Sequence, residues 1–226
     1  MVSDTSALVL FTKPPRPGRV KTRLIGPAPD GLTAAEAADL HWAFVLDQLE
    51  RFEGRDFSLE IAWALDDGDA PPEVGAPSFR QTGGDLGERL WQGLTRAARS
   101  ASRVAAVGSD HPGLSLERVR TAFARLAAGA DVVLGPAVDG GYYLLAVRSD
   151  RLDRRLFAGI EWSTERVLAQ TLERCHRLGL VVELLPEAGD VDTPEDLERL
   201  AATLARDAAA CPRTHRLLDS WGRLDR

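Results

Sequence analysis

The sequence predicts an α/β fold, with one domain built on a mostly parallel sheet of about seven strands flanked by helices. Short apolar runs of strand length alternate with helical patterns from one end of the chain to the other. The 226 residues, 44% of them hydrophobic, are enough for one continuous core. Strands separated by helices pair in parallel and are covered on both faces. We expect this domain to span residues 1–210, followed by a charged C-terminal tail at 211–226.

The individual elements follow from local patterns. Buried or alternating runs predict strands at 7–12, 58–65, 79–81, 104–107, 131–134, 142–147 and 180–185. Residues with capping chemistry predict where five helices start, at Thr33, Asp85, Ser115, Ser163 and Thr193. The stretch 66–77 is acidic and rich in glycine and proline, which predicts a loop.

Composition excludes several classes of function. A net charge of -6 argues against a general nucleic-acid binder, which needs a broad positive face. Cys175 and Cys211 are isolated thiols without metal-type spacing, so we expect no disulfide and a reducing compartment. The first apolar run has about six residues, too short for a signal peptide or for a membrane span of about 20 residues. The sequence therefore predicts a cytoplasmic protein.

A cationic loop directly follows the first predicted strand. Between Lys13 and Arg23 the chain carries five cations and no carboxylate, together with glycine and three prolines. Open α/β sheets bind ligands at the carboxyl ends of their strands, and such a loop suits a polyphosphate. A solvated basic loop is the alternative interpretation. Its position favours a small-anion site, with phosphate ligands at Lys13, Arg16, Lys21 and Arg23.

Three carboxylates also follow predicted strands. Asp110, Asp139 and Asp192 lie in turns of this kind, and hard oxygen ligands suit Mg²⁺ or Mn²⁺ shared with a diphosphate. Each has a structural alternative: Asp110 could cap a turn, Asp139 suits a turn before two glycines, and Asp192 could serve the dipole of the next helix. Their joint placement at strand ends favours the site.

Four neighbouring side chains carry weaker signals. His111 is more often a hydrogen-bonded turn residue than a ligand, so it receives no catalytic role. Tyr142 and Tyr143 alternate along a strand, and at most one of them faces a substrate. Trp162 could form a platform for a sugar or a base, although packing beside a helix start is the commoner role.

Six ordered motifs resemble one known family. They lie at 11–24, 81–87, 107–113, 134–145, 162–165 and 190–197, and read FTKPPRPGRVKTRL, QTGGDLG, VGSDHPG, LGPAVDGGYYLL, WSTE and DVDTPEDL. Together they are similar to the bacterial DUF2064 family, within the nucleotide-diphospho-sugar transferase superfamily of glycosyltransferase-A fold. The resemblance covers roughly residues 7–200.

The resemblance implies roles for individual residues. It implies phosphate contacts for Lys13, Lys21 and Arg23, and a metal site at Asp110 and Asp192. It also implies a nucleotide pocket lined by Gln81, Gly83 and Asp85, and an acceptor-facing turn comprising Asp139, Gly140, Gly141 and Tyr142. Asp139 is the one candidate to orient or deprotonate an acceptor hydroxyl.

The implied function is a metal-dependent glycosyltransferase that moves a sugar from a nucleoside-diphosphate sugar to a small acceptor. Nucleotidyl transfer with release of pyrophosphate is the alternative, because the cationic loop resembles that of the phospholactate guanylyltransferases. The Asp-x-Asp of many glycosyltransferases is also incomplete at Ser109-Asp110-His111. A third reading is a nucleotide-binding protein without turnover. Expected partners are a nucleotide or nucleotide sugar and a small acceptor, with no nucleic acid or membrane.

Overall fold

Seven strands form one sheet in the computed structural model, which describes residues 5–27 and 30–224. The order across the sheet is β3-β2-β1-β4-β6-β5-β7. The predicted fold class is confirmed. The strands are β1 (Ser6–Thr12), β2 (Ser58–Trp63), β3 (Ser78–Arg80), β4 (Arg103–Gly108), β5 (Val132–Pro136), β6 (Tyr142–Arg148) and β7 (Val182–Leu184).

The sheet is parallel except at β6. This strand pairs antiparallel with both β4 and β5, whereas β1 pairs in parallel with β2 and β4, and β5 pairs in parallel with β7. The carboxyl ends of the six parallel strands therefore share one edge of the sheet. The residues that begin β6 lie at that same edge.

Six α-helices lie in the described part of the chain: α1 (Ala34–Phe52), α2 (Leu86–Ala97), α3 (Leu116–Ala127), α4 (Val167–Arg177), α5 (Pro194–Leu204) and α6 (Pro212–Ser220). Four predicted starts are confirmed by side-chain caps. Asp85 and Ser115 accept from the backbone three residues on, while Thr33 and Thr193 form capping boxes. The start predicted at Ser163 is wrong. Its φ of 63° is left-handed, unlike the extended backbone of an N-cap, and α4 begins at Val167.

The described residues group into two compact parts. The first part comprises residues 5–12, 53–108 and 115–188 and contains the sheet with α2, α3 and α4. On one face, Val9 and Ala106 contact a core that includes Leu94 of α2 and Cys175 of α4. Because side chains alternate along a strand, Leu8 of β1 points to the other face.

The second part comprises residues 13–27, 30–52, 109–114 and 189–224. Its core joins α1, α5 and α6 through Phe44, Leu197 and Leu218, all of them buried. Asp47 of α1 caps α6 by accepting from the Thr214 amide at 2.9 Å. Residues 212–220 are thus a docked helix, and the domain boundary at 210 stays a prediction. No helix among the described residues combines the length and the apolar character that crossing a bilayer requires.

Candidate functional site

A buried lysine ties two of the predicted carboxylates together in the second part. The Lys21 side chain is 2% exposed, and its Nζ lies 2.5 Å from Asp110 Oδ1 and 3.2 Å from Asp192 Oδ1. It also donates to the Val191 carbonyl at 2.7 Å and lies 5.4 Å from the ring centre of Phe44. The structure therefore brings together three residues that the sequence predicted separately.

The backbone at Lys21 is unusual. Its φ of 47° and ψ of 38° are left-handed, a conformation that costs a lysine about 1–2 kcal/mol. The residue precedes a short 3₁₀ turn, Thr22–Leu24, and Leu24 is buried in the core of the second part. The three bonds of the ammonium and the burial of Leu24 hold this conformation in place.

Asp110 lies in a segment, 109–114, whose backbone is held at several points. The Asp110 carbonyl accepts from the Val191 amide at 3.0 Å, and the His111 carbonyl accepts from Gln48 Nε2 at 2.8 Å. His111 Nδ1 lies 2.7 Å from the Gly189 carbonyl, which supports the expected turn role of this histidine. Partial burial alone would raise the pKa of the Asp110 carboxyl, but the charge and hydrogen bond of Lys21 hold this pKa below its ordinary value.

Asp192 precedes the N-terminus of α5. The Asp196 carboxylate of the capping box accepts from the amides of Asp192 and Thr193, which fixes the backbone there. The Asp192 carboxylate itself is 41% exposed and contacts Lys21, with Arg23 Nη1 3.8 Å from its Oδ2. Asp192 therefore forms ion pairs in addition to lying beside a helix start.

The carboxylate pair fits part of a divalent metal site. Each carboxylate contacts Lys21 through Oδ1, so among the described residues Oδ2 of Asp110 has no hydrogen-bond partner and Oδ2 of Asp192 has only the distant Arg23. The two side chains are 51% and 41% exposed and reach solvent. No three His, Cys, Asp or Glu side chains of 5–27 and 30–224 could hold a metal alone. Water and substrate oxygens would complete the shell, as is usual for Mg²⁺.

The other cations of the loop lie nearer the surface. Lys13 and Arg23 are exposed, the latter to 77%, and Arg16 is half-buried. Within the loop, the Arg16 amide donates to the Pro14 carbonyl and the Arg19 amide to the Arg16 carbonyl. These two amides therefore serve turns within the loop.

Helix α1 contributes residues that sequence reasoning missed. His41 is buried with its Nε2 2.9 Å from the Lys13 carbonyl, and burial lowers the pKa of its imidazole. Arg51 donates to the carbonyls of Pro112 and Leu114 at 2.6 and 3.0 Å. Polar residues that recur on the inward face of a hydrophobic helix are the signal that could have identified them.

The predicted nucleotide-pocket residues lie in the first part. Gln81 Nε2 donates to the carbonyls of Ala62 and Thr12 at 2.8 and 3.3 Å, which leaves its Oε1 as an acceptor. Gly83 has a φ of 128°, a conformation that favours glycine. The Asp85 carboxylate accepts from the Glu88 amide at 2.7 Å and is therefore the cap of α2.

The predicted acceptor turn is tightly built. Asp139 Oδ1 accepts from the Gly141 amide at 3.0 Å, as in an Asx turn. A Cβ on Gly140 would lie 2.2 Å from the Glu165 carbonyl oxygen, so the close approach at Gly140 is to the protein's own backbone. At Gly141 the nearest atom to a Cβ is the Asp139 carboxylate at 3.2 Å. Tyr142 packs on the core, and burial raises the pKa of its hydroxyl.

Trp162 packs against the first turn of α2. A Cβ on Gly87 would come within 2.6–2.8 Å of three atoms of the indole, so only glycine fits there. The indole Nε1 is buried without a hydrogen-bond partner among the described residues. The side chain is half-buried and also contacts the core beneath α2 and α4. Trp162 therefore fills a packing role, and its role as a platform for a sugar or a base stays a prediction.

Comparison with known proteins defines the class. The model of a family described as "Uncharacterized protein conserved in bacteria (DUF2064)" matches residues 51–164. A solved structure from Desulfovibrio desulfuricans G20, provisionally assigned as a nucleotide-diphospho-sugar transferase, is 34% identical, with 97% of this chain and 96% of that chain covered and a TM-score of 0.88. No curated protein matches.

Two more distant structures share the fold. CMP:2-keto-3-deoxy-manno-octonic acid synthetase, solved with CTP, is 14% identical over 90% of this chain and 99% of that chain, with a TM-score of 0.51. Rv0371c from Mycobacterium tuberculosis H37Rv, solved with manganese, is 15% identical over 87% of this chain and 97% of that chain, with a TM-score of 0.50.

These findings place the protein among the enzymes of the transferase class, with the fold of the nucleotide-diphospho-sugar transferases. The chain belongs to the DUF2064 family.

Proposed function

We propose that this protein is a metal-dependent transferase with a nucleotide substrate, and that it moves a sugar from a nucleoside-diphosphate sugar to a small acceptor. The observation that carries the proposal is the cluster of Lys21, Asp110 and Asp192, flanked by the exposed cations of the same loop. Half-exposed carboxylates beside cationic side chains suit a ligand that combines a divalent metal with a polyphosphate.

The phosphates are proposed to bind the cations of the loop. Lys13 and Arg23 are exposed, Arg16 is half-buried, and Lys21 lies in the carboxylate cluster. Arginine forks match the oxygens of a phosphate in a bidentate manner. In glycosyl transfer, positive charges of this kind stabilise the diphosphate as negative charge develops on it.

Asp110 and Asp192 are proposed to hold Mg²⁺ or Mn²⁺ through the carboxylate oxygens that Lys21 leaves available. A bound divalent metal would supply Lewis-acid neutralisation of the phosphate charge. The manganese complex of the distant fold relative Rv0371c agrees with this choice of ion. The residues of the chain itself orient the carboxylates, with Val191 and the capping box of α5 fixing their backbones.

Residues of the first part are proposed to recognise the base and the acceptor. Gln81 presents an amide oxygen whose orientation is fixed by two backbone carbonyls, which suits an N–H donor of a base. Gly83 and Asp85 shape the start of α2 beside it. The turn at Gly140 and Gly141 is proposed to face the acceptor, with Tyr142 supporting the turn from the core. The exposed carboxylate of Asp139 would orient or deprotonate the acceptor hydroxyl. The buried Tyr142 hydroxyl stays neutral.

Nucleotidyl transfer is the second candidate, and one observation favours it. Five cations in one loop suit a triphosphate better than a diphosphate. The distant fold relative CMP:2-keto-3-deoxy-manno-octonic acid synthetase was solved with a triphosphate, CTP. In either reaction both substrates are small molecules. The two free, buried thiols suit a reducing compartment, so a cytoplasmic location stays part of the proposal.

A product assay separates the two reactions. The purified protein is incubated with Mn²⁺ and a panel of nucleotide sugars or nucleoside triphosphates, with small sugars and sugar phosphates as acceptors. Release of nucleoside diphosphate from a nucleotide sugar supports glycosyl transfer, whereas pyrophosphate release from a triphosphate supports the alternative. Asp110→Asn serves as the matched control in both arms. Turnover that is equal in the wild type and in Asp110→Asn, with and without EDTA, contradicts the proposed metal dependence.

A further inference from the structure

Lys21 has no N–H left for a ligand. A lysine ammonium carries three donors, and the Nζ of Lys21 contacts three oxygens, those of the Val191 carbonyl, Asp110 and Asp192. The side chain is almost fully buried, where an unpaired ammonium is strongly unfavourable. A direct contact between Lys21 and a phosphate would therefore require one of these bonds to break.

The segments that carry the two carboxylates are held together by more than Lys21. The Val191 amide donates to the Asp110 carbonyl, the capping box of α5 fixes the backbone at Asp192, and Gln48 of α1 binds the carbonyl that follows Asp110. These bonds involve no carboxylate of the pair. Removing the Lys21 ammonium would leave the carboxylates in place and change mainly the charge between them.

We propose that Lys21 is a built-in counter-ion that keeps the carboxylate pair from binding a metal tightly until a polyphosphate arrives. The inference rests on the proposed metal site and assigns Lys21 as a positioning residue. The cluster of one ammonium and two carboxylates has a formal charge of −1, compared with −2 without the lysine. A divalent cation alone is therefore attracted weakly, whereas the cluster with a divalent cation has a charge of +1, which attracts a polyphosphate.

This arrangement predicts positive coupling between metal and polyphosphate. By linkage, each ligand raises the affinity of the protein for the other by the same factor. The exposed Arg23, 3.8 Å from the Oδ2 of Asp192, is the natural contrast because it lies in the same loop without being buried. Lys21 then lowers the affinity for the metal, and Arg23 raises the affinity for the phosphate.

The test is a calorimetric titration of Mn²⁺ into the wild type, Lys21→Met and Arg23→Met, with and without inorganic pyrophosphate. Pyrophosphate is a probe that needs no knowledge of the base. In Lys21→Met, Mn²⁺ alone should bind about tenfold or more tightly than in the wild type, and pyrophosphate should strengthen Mn²⁺ binding less. In Arg23→Met, which removes an exposed and solvent-screened charge 3.8 Å from Asp192, the gain in affinity for Mn²⁺ alone should be smaller than in Lys21→Met. Unchanged or weaker Mn²⁺ binding in Lys21→Met overturns the proposal.

Urea unfolding in EDTA separates a failure of this inference from a failure of the metal site. We expect Lys21→Met to lower the folding equilibrium constant both in the wild type and in an Asp110→Asn/Asp192→Asn background. The fold-change should be at least about tenfold larger in the wild type. That background removes the carboxylate charges, so the lysine variant remains measurable there. Equal losses in both backgrounds overturn the counter-ion role. If no variant binds Mn²⁺ with or without pyrophosphate, the proposed metal site fails and this inference falls with it. If the wild type binds Mn²⁺ with pyrophosphate but Lys21→Met gains no affinity for Mn²⁺ alone, the inference fails and the metal site stands.

Discussion

Arg51 of α1 offers a quantitative test of how the second part holds Asp110. Its Nη1 donates to the carbonyls of Pro112 and Leu114 at 2.6 and 3.0 Å, and its Nη2 donates to the Ala210 carbonyl. A hydrogen bond with one charged partner contributes about 1.5–3 kcal/mol, and partial exposure reduces that. We therefore expect Arg51→Met to lower the free energy of unfolding by about 3 kcal/mol.

The assay is urea unfolding, combined with hydrogen exchange of the amides in 109–114. Arg51→Met should speed that exchange, because the carbonyls of the segment lose their anchor. Arg51→Lys keeps the charge but has one nitrogen in place of a fork, so it should recover less than half of the lost stability. Arg99→Met, at an exposed arginine of the first part, is the control. A loss below about 0.5 kcal/mol with unchanged exchange in 109–114 would refute the reasoning.

Three further outcomes are expected. Asp47→Ala should cost about 3 kcal/mol in urea unfolding, because a buried carboxylate that caps α6 with three hydrogen bonds is lost; a cost below about 1 kcal/mol contradicts this. Gly140→Ala should unfold or distort the protein, because the added Cβ clashes with Glu165. Gly141→Val should fold and raise the KM for the acceptor with nearly unchanged nucleotide affinity. A parallel loss of nucleotide binding in Gly141→Val would assign the turn to the donor site. Burial raises the pKa of Cys175 to about 11, so the unfolded state loses this thiol proton at lower pH than the folded state. The free energy of unfolding should therefore fall between about pH 9 and 11, and fall less in Cys175→Ala. Identical pH profiles of the two proteins would exclude the thiol as the cause.

Most of the fold could be predicted from the sequence because local patterns of apolar and capping residues match the strands and helices that pack together. The strand runs and the caps at Asp85, Ser115 and Thr193 need only neighbouring residues to act, and all of these appear in the structure. The start at Ser163 was predicted wrongly because a serine before a helical pattern is typical of an N-cap, and the sequence carries no signal for its left-handed backbone. The sequence indicated docking groups in 211–226 but not the helix α6, because the residue that caps it, Asp47, lies far away in the sequence.

The site was readable only in part. The placement of Asp110 and Asp192 after strands predicted that they could act together, and both contact the same ammonium. The position of Lys21 between them depends on a left-handed backbone and on tertiary contacts, so the loop's charge pattern could not distinguish it from Lys13. The sequence also carried no sign that Gly140, in the turn expected to face the acceptor, lies tightly against the backbone of Glu165.

The most direct test of the central claim is metal-dependent polyphosphate binding by the carboxylate pair. A nucleoside diphosphate is titrated into the wild type, Asp110→Asn, Asp192→Asn and the control Asp139→Asn, each with Mn²⁺ and with EDTA. The account predicts at least about tenfold tighter binding with Mn²⁺ in the wild type and in Asp139→Asn, and loss of that gain in the other two variants. A Mn²⁺-dependent gain that persists in both Asp110→Asn and Asp192→Asn would contradict it.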